Sequence, residues 1–230
     1  MSAFENYQTV AAQVAQCALD CGRNPQDVTL IAVSKTVDTE TVRQAMAAGA
    51  HHFGENRPES LAAKADALED QTWHFIGNIQ SRQIPRIVQH AALIHSLYQP
   101  RHAEKINQAA AAAGKVQQVL VEVNVSGEES KSGCAPDQAA HLVRLCTTLP
   151  NVCVRGLMTM APRGNTEAVR ATFAGLAALR TDIASSLDAQ SASQFNELSM
   201  GMSEDWREAI AAGATMVRIG RAIFSDTFEG

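Results

Sequence analysis

The sequence predicts an α/β protein closed as a (β/α)8 TIM-type barrel, on three observations. About eight short runs rich in β-branched and aromatic residues alternate with longer alanine-rich stretches, and alternating βα units imply a parallel sheet covered by helices. No shift in composition along the 230 residues marks a linker, so one barrel domain, 1–230, is expected; roughly 250 residues is typical of such barrels. No G-x-G-x-x-G follows the first run, which lowers the doubly wound open sheet as the competing architecture.

The elements follow in order. Residues 2–22 read as an extra N-terminal amphipathic helix, stopped by Gly22 and the turn "RNPQD". The expected strands are "VTLIAVS" (28–34), "AHHFGE" (50–55), "TWHFIG" (72–77), "AALIHSL" (91–97), "QQVLVEVNV" (117–125), "VCVRGLM" (152–158), "QFNELSM" (194–200) and "TMVRIG" (215–220). Helices are expected near 39–48, 57–69, 81–89, 100–113, 136–149, 165–187 and 203–212. Asp38 or Thr39 and Ser203 read as N-caps, Gly49 and Gly114 as stops, and Pro136 as an early helical residue.

The bulk numbers exclude several functions. Net charge is −5, so nothing marks a nucleic-acid surface or an anionic-lipid surface. No apolar stretch approaches the roughly 20 residues of a membrane span, and "MSAFENYQTV" lacks the basic and apolar regions of a signal peptide. Five cysteines without C-x-x-C spacing fit a reducing cytoplasm. No H-E-x-x-H occurs, and no metal site is expected.

Reacting groups in a barrel gather where strands end. Lys35 closes the apolar run "LIAVSK", and alternation sets it on the face of Ile31 and Val33. Partly desolvated there, its amine would be available in neutral form for a Schiff base with an aldehyde; equally, it caps the strand and points to water. Barrels often bind phosphate with the loops after strands seven and eight. Here these are "LSMGMSED" and "RIGRAIF", with Gly201 and Gly220 for close backbone approach and Ser199 and Ser203 as hydroxyl donors. Lysine and phosphate cup together describe a site for a phosphorylated aldehyde. Arg218 is the third element, expected to face inward with Met216, and it donates hydrogen bonds without giving up its proton; a salt bridge to a rim carboxylate is the alternative. His51 and His52 point to opposite faces and cannot chelate together, and His74 reads as a barrel-lining histidine. Glu122 and Asn124 fall on one face of strand five, and "SGEESKSG" (126–133) reads as a solvated polar turn, the alternative being that Glu128, Glu129 and Lys131 cover the site.

The segments "AVSKT" (32–36), "FGENR" (53–57), "WHFIG" (73–77), "VNVSGEESKSG" (123–133), "GLMTMAP" (156–162), "LSMGMSED" (198–205) and "RIGRAIF" (218–224) together resemble the YggS/PROSC-like pyridoxal phosphate homeostasis proteins, single-domain relatives of the alanine racemase barrel. They run in order from the first strand to the eighth. The resemblance implies a fold type III barrel carrying pyridoxal 5'-phosphate as a covalent aldimine on Lys35. It places Arg218 at the pyridine nitrogen, Ser199, Gly201 and Gly220 at the phosphate, and Asn56 and Met158 near the ring. Pro58, Gln83 and Ser225 depart from the family pattern. The implied function is intracellular vitamin B6 homeostasis without efficient catalysis, no residue being assigned a catalytic role. Pyridoxal phosphate and pyridoxal phosphate-dependent apoenzymes are the expected partners, and a monomer is expected. A weakly active amino-acid racemase is the alternative; it needs a second base opposite Lys35, and the only tyrosines are Tyr7 and Tyr98. A Schiff-base aldolase acting on a phosphorylated sugar is a third reading.

Overall fold

The computed structural model describes residues 2–225. A helix, α1 (Ala3–Asp20), precedes the barrel, opened by a capping box in which Ser2 and Glu5 satisfy each other's backbone N–H groups. The chain then alternates β1 (Thr29–Val33), α2 (Thr39–Ala47), β2 (His52–Glu55), α3 (Pro58–Ala67), β3 (Thr72–Phe75), α4 (Ile84–His90), β4 (Leu93–Leu97) and α5 (Pro100–Ala112). It continues through β5 (Gln117–Glu122), α6 (Pro136–Thr147), β6 (Val152–Met158), α7 (Thr166–Ser185), α8 (Ala189–Gln194), β7 (Glu197–Ser199), α9 (Trp206–Ala211), β8 (Met216–Ile219) and α10 (Arg221–Phe224). All eight strands are parallel and close in sequence order, with β8 back against β1.

The local signals act as their chemistry dictates. Asp38 caps α2 by accepting from the Thr41 N–H, and Gly49 and Gly114 end helices at φ +100° and +65°, where a Cβ would be strained. Three expectations are corrected. The helix before β8 begins at Trp206 rather than 203, because Asp205, not Ser203, turns the chain by accepting from the Met202 N–H at 2.5 Å. Strand seven is three residues long, since α8, capped by Asp188, takes up the start of the expected run. Strand five ends at Glu122, where Asn124 leaves the sheet to bind the following loop.

Apolar side chains divide into two clusters. The larger fills the layer between strands and helices, with Phe53, Phe75, Leu61 and Ile106 at its heart. The smaller lies inside the barrel and consists of Ile31, Leu93, Leu120, Met158 and Met216. That interior layer supports the C-terminal ends of the strands. Among the described residues no helix is long and apolar enough to cross a membrane, and no group of histidines, cysteines or carboxylates is placed to hold a metal.

Candidate functional site

The C-terminal ends of β1, β2, β6, β7 and β8 are stitched into one rim. Ile31 and Ala32 register with Arg218 and Ile219, the Ser34 N–H donates to the Gly54 carbonyl, the Thr159 N–H to that of Ser199, and the Arg218 N–H to that of Gly201. Gly220 lies so close to β1 that a Cβ would sit 3.0 Å from the Val33 carbonyl oxygen. Gly201, at φ +93°, faces α9, where a Cβ would meet Ala209 at 2.6 Å. A Cβ is excluded at Gly201 and tightly crowded at Gly220, so both positions carry bare backbone at the rim. Asn56 is exposed just past β2, and Gly77, just past β3, is packed against its carbonyl. Met158 belongs to the apolar layer beneath.

Arg218 is buried inside the barrel. Its Nη1 donates to Ser199 Oγ at 2.6 Å and its Nη2 to the Thr159 carbonyl at 3.1 Å. Burial brings its pKa down to about 10, opposed by the charges of Asp205 and Glu122, so the guanidinium stays protonated at neutral pH. The Ser199 hydroxyl, expected to face a phosphate, is instead held in the interior between Arg218 and His95 Nδ1, at 2.8 Å from the latter. Glu122 points inward with Leu120; Ser132 donates to its Oε1 at 2.6 Å, and burial pushes its pKa up.

Lys35 differs from the expectation of a desolvated strand end. The strand stops at Val33, a turn closes from the Val37 N–H to the Ser34 carbonyl, and the Lys35 side chain is exposed. The buried lysine nearby is Lys64 of α3. Its Nζ donates to the Ser34 carbonyl at 2.7 Å and to Glu55 Oε1 at 2.6 Å, and the Ser34 hydroxyl donates to the same carboxylate oxygen at 2.7 Å. This ion pair clamps the residue that precedes Lys35. Replacing Lys64 by methionine leaves the fully buried Glu55 carboxylate uncompensated, an expected loss of about 3–5 kcal/mol. Urea unfolding measures it, and the double change Lys64→Met with Glu55→Gln should recover part of the loss.

The polar segment 126–133 is a structured loop. The Asn124 side chain accepts from the Gly127 N–H and donates to the Glu128 and Lys131 carbonyls. Lys131 pairs with Glu128 and reaches the carbonyls of Met160 and Ala161 just beyond β6. Tyr7 is buried on α1, and Tyr98, half-buried, packs separately against the layer between strands and helices.

Two groups escaped sequence reasoning. Lys64 carries no pattern that separates it from a surface lysine, although it sits among "LAAKADAL" in an apolar helix face. His95 did carry one, as an imidazole inside the largely apolar "ALIHSL". Strand alternation sets His95 on the interior face with Leu93, and the register shift between Ile94 and Leu97 lets Leu97 join the outer layer instead.

The alanine racemase N-terminal domain family matches residues 7–227. The pyridoxal phosphate homeostasis protein of Pseudomonas aeruginosa is 42% identical over 223 residues, which cover 96% of this chain and 94% of that protein. That of Aquifex aeolicus is 38% identical over 229 residues, covering 98% and 99%. Among solved structures, PipY of Synechococcus elongatus with pyridoxal phosphate bound has a TM-score of 0.78 at 33% identity, over 92% of this chain and all of its own. An alanine racemase of Clostridium difficile, at 15% identity and TM-score 0.72, spans 98% of this chain with 59% of its own length and shares the fold. The chain therefore belongs to the alanine racemase N-terminal domain family and, within it, to the pyridoxal phosphate homeostasis proteins.

Proposed function

We propose that this protein binds pyridoxal 5'-phosphate and serves its homeostasis, holding the cofactor as a Schiff base on Lys35 and releasing it to apoenzymes. The observation that carries the reading is the pairing, on one rim, of an exposed primary amine with a buried guanidinium fixed by Ser199 and Thr159. The donor set fits the group. Lys35 offers an amine to the aldehyde, Arg218 a hydrogen bond to the ring nitrogen, and the side-chain-free backbone at Gly201 and Gly220 room for the phosphate. Met158 supplies apolar surface from below and Asn56 a polar edge. When bound, the cofactor supplies an electrophilic aldehyde and a ring able to accept electrons. Arg218 donates to that ring without protonating it, which keeps the electron sink weak.

This arrangement favours storage over turnover. Racemisation needs a base on the face opposite the lysine, and Tyr7 and Tyr98 both pack in the outer layer rather than with the barrel-interior cluster. The test is to mix the protein with pyridoxal phosphate, record the visible spectrum, and then add an apoenzyme that requires the cofactor. A visible imine band, reactivation of the apoenzyme and no interconversion of D- and L-amino acids are expected. Absence of the band overturns the cofactor reading, and steady racemisation makes the protein an enzyme.

A further inference from the structure

Five polar side chains run in single file through the barrel. Arg218 Nη1 lies 2.6 Å from Ser199 Oγ, which lies 2.8 Å from His95 Nδ1; His95 Nε2 lies 2.9 Å from His74 Nδ1, and His74 Nε2 lies 3.1 Å from His52 Nδ1. His74, His95, Ser199 and Arg218 are buried, while His52 is half-buried at the start of β2. The file thus leaves a partly solvated point on β2, passes along β3 and β4, and crosses the interior to β7 and β8.

We propose that His52, His74, His95 and Ser199 form a tautomer-locked hydrogen-bond chain that positions Arg218, with all three imidazoles carrying their proton on Nε2. The direction is set at one end. An arginine only donates, so Ser199 Oγ accepts from Arg218. Among the described residues the Ser199 hydroxyl has no partner besides Arg218 and His95, and a buried O–H left without an acceptor is costly. Its hydrogen therefore goes to His95 Nδ1. A neutral His95 then carries its proton on Nε2 and donates to His74 Nδ1. The same step makes His74 donate from Nε2 to His52 Nδ1, and His52 turns its own Nε2–H toward the surface.

The alignment has two effects on Arg218. Hydrogen bonds pointing one way polarise one another, so a serine oxygen that donates to His95 is a better acceptor for the guanidinium. A further proton has no place on His74 or His95 unless two N–H groups meet head to head, which keeps positive charge off the imidazoles that face Arg218. The charged and titratable groups facing the file are His51 beside His52, and Asp205 and Glu122 around Arg218.

The deciding experiment is two-bond 1H–15N correlation NMR of the 15N-labelled wild-type protein near neutral pH, which reads each imidazole's tautomer. Protonated Nε2 with bare Nδ1 on His74 and His95 is the expected pattern; Nδ1–H on either overturns the proposal. A second arm rests on the reading that Arg218 faces pyridoxal phosphate. Ser199→Ala and His95→Leu should weaken cofactor retention about tenfold or more and shift the bound cofactor's absorbance. His95→Gln, which accepts and donates at once, should restore both. Equal loss in His95→Gln and His95→Leu would mean that bulk, not the chain, holds Arg218, and would sink the positioning role. If wild-type protein binds no cofactor, the cofactor reading fails while the tautomer pattern still decides the chain.

Discussion

Lys35→Ala is expected to abolish covalent retention of pyridoxal phosphate and to leave the fold unchanged. The side chain is exposed in the turn after β1 and makes no hydrogen bond or ion pair among the described residues, so its removal should move unfolding free energy by no more than about 0.5 kcal/mol. Chemistry should respond quite differently. Only a free amine condenses with an aldehyde, and the neighbouring Lys64 is tied to the Ser34 carbonyl and the Glu55 carboxylate, so it cannot substitute. Borohydride reduction followed by mass spectrometry is the check. Wild type should gain one cofactor mass on the peptide containing Lys35, and the variant none. A modified variant would assign the aldehyde to another amine and remove Lys35 from the site.

Much of this architecture is written locally. The strands show because β-branched runs recur at intervals that only a helix fills, and the helix ends show because Asp38, Gly49, Gly114 and Pro136 act through their own backbone neighbours. The rim residues Lys35, Gly201, Arg218 and Gly220 could be listed from strand ends alone, since a barrel puts all such ends together. Burial was less legible. Whether Lys35 is covered depends on where the chain turns after Val33, which Ser34 decides by bonding to Glu55, a residue of the next strand. The role of Ser199 was hidden for a similar reason: its partner His95 is 104 residues away on the opposite wall of the barrel, and no one-dimensional pattern reports a contact across the interior. The helix at Trp206 began late because an aspartate two residues beyond the expected cap captured the Met202 N–H.

Acid should unfold this barrel earlier than its carboxylates alone would dictate. Burial lowers the pKa of His74 from 6.5 to about 3, and holds that of His95 well below 6.5 with help from His74 and Arg218. The unfolded chain binds these protons near pH 6.5 and the folded chain does not. Their contribution is therefore fully present above pH 6.5 and is lost as pH falls toward the folded values, by about 1.4 kcal/mol per pH unit per histidine. For His74 this amounts to roughly 2 kcal/mol between pH 6.5 and 4.5, with a further loss in the same direction from His95, a sizeable part of a domain stability of about 5–15 kcal/mol. Glu122 and Asp205 act in the other sense. Burial raises both of their pKa values, so the folded state takes up protons there first and offsets part of the loss toward the acid end. Urea midpoints measured in steps from pH 8 to pH 5 should be level down to about 6.5 and then fall steeply. His74→Gln, in which the amide oxygen and nitrogen replace the acceptor and donor of the ring, should remove one histidine's share of the slope. A wild-type curve flat through that range would mean that the histidines accept protons inside the fold, and the neutral chain beside Arg218 would not exist.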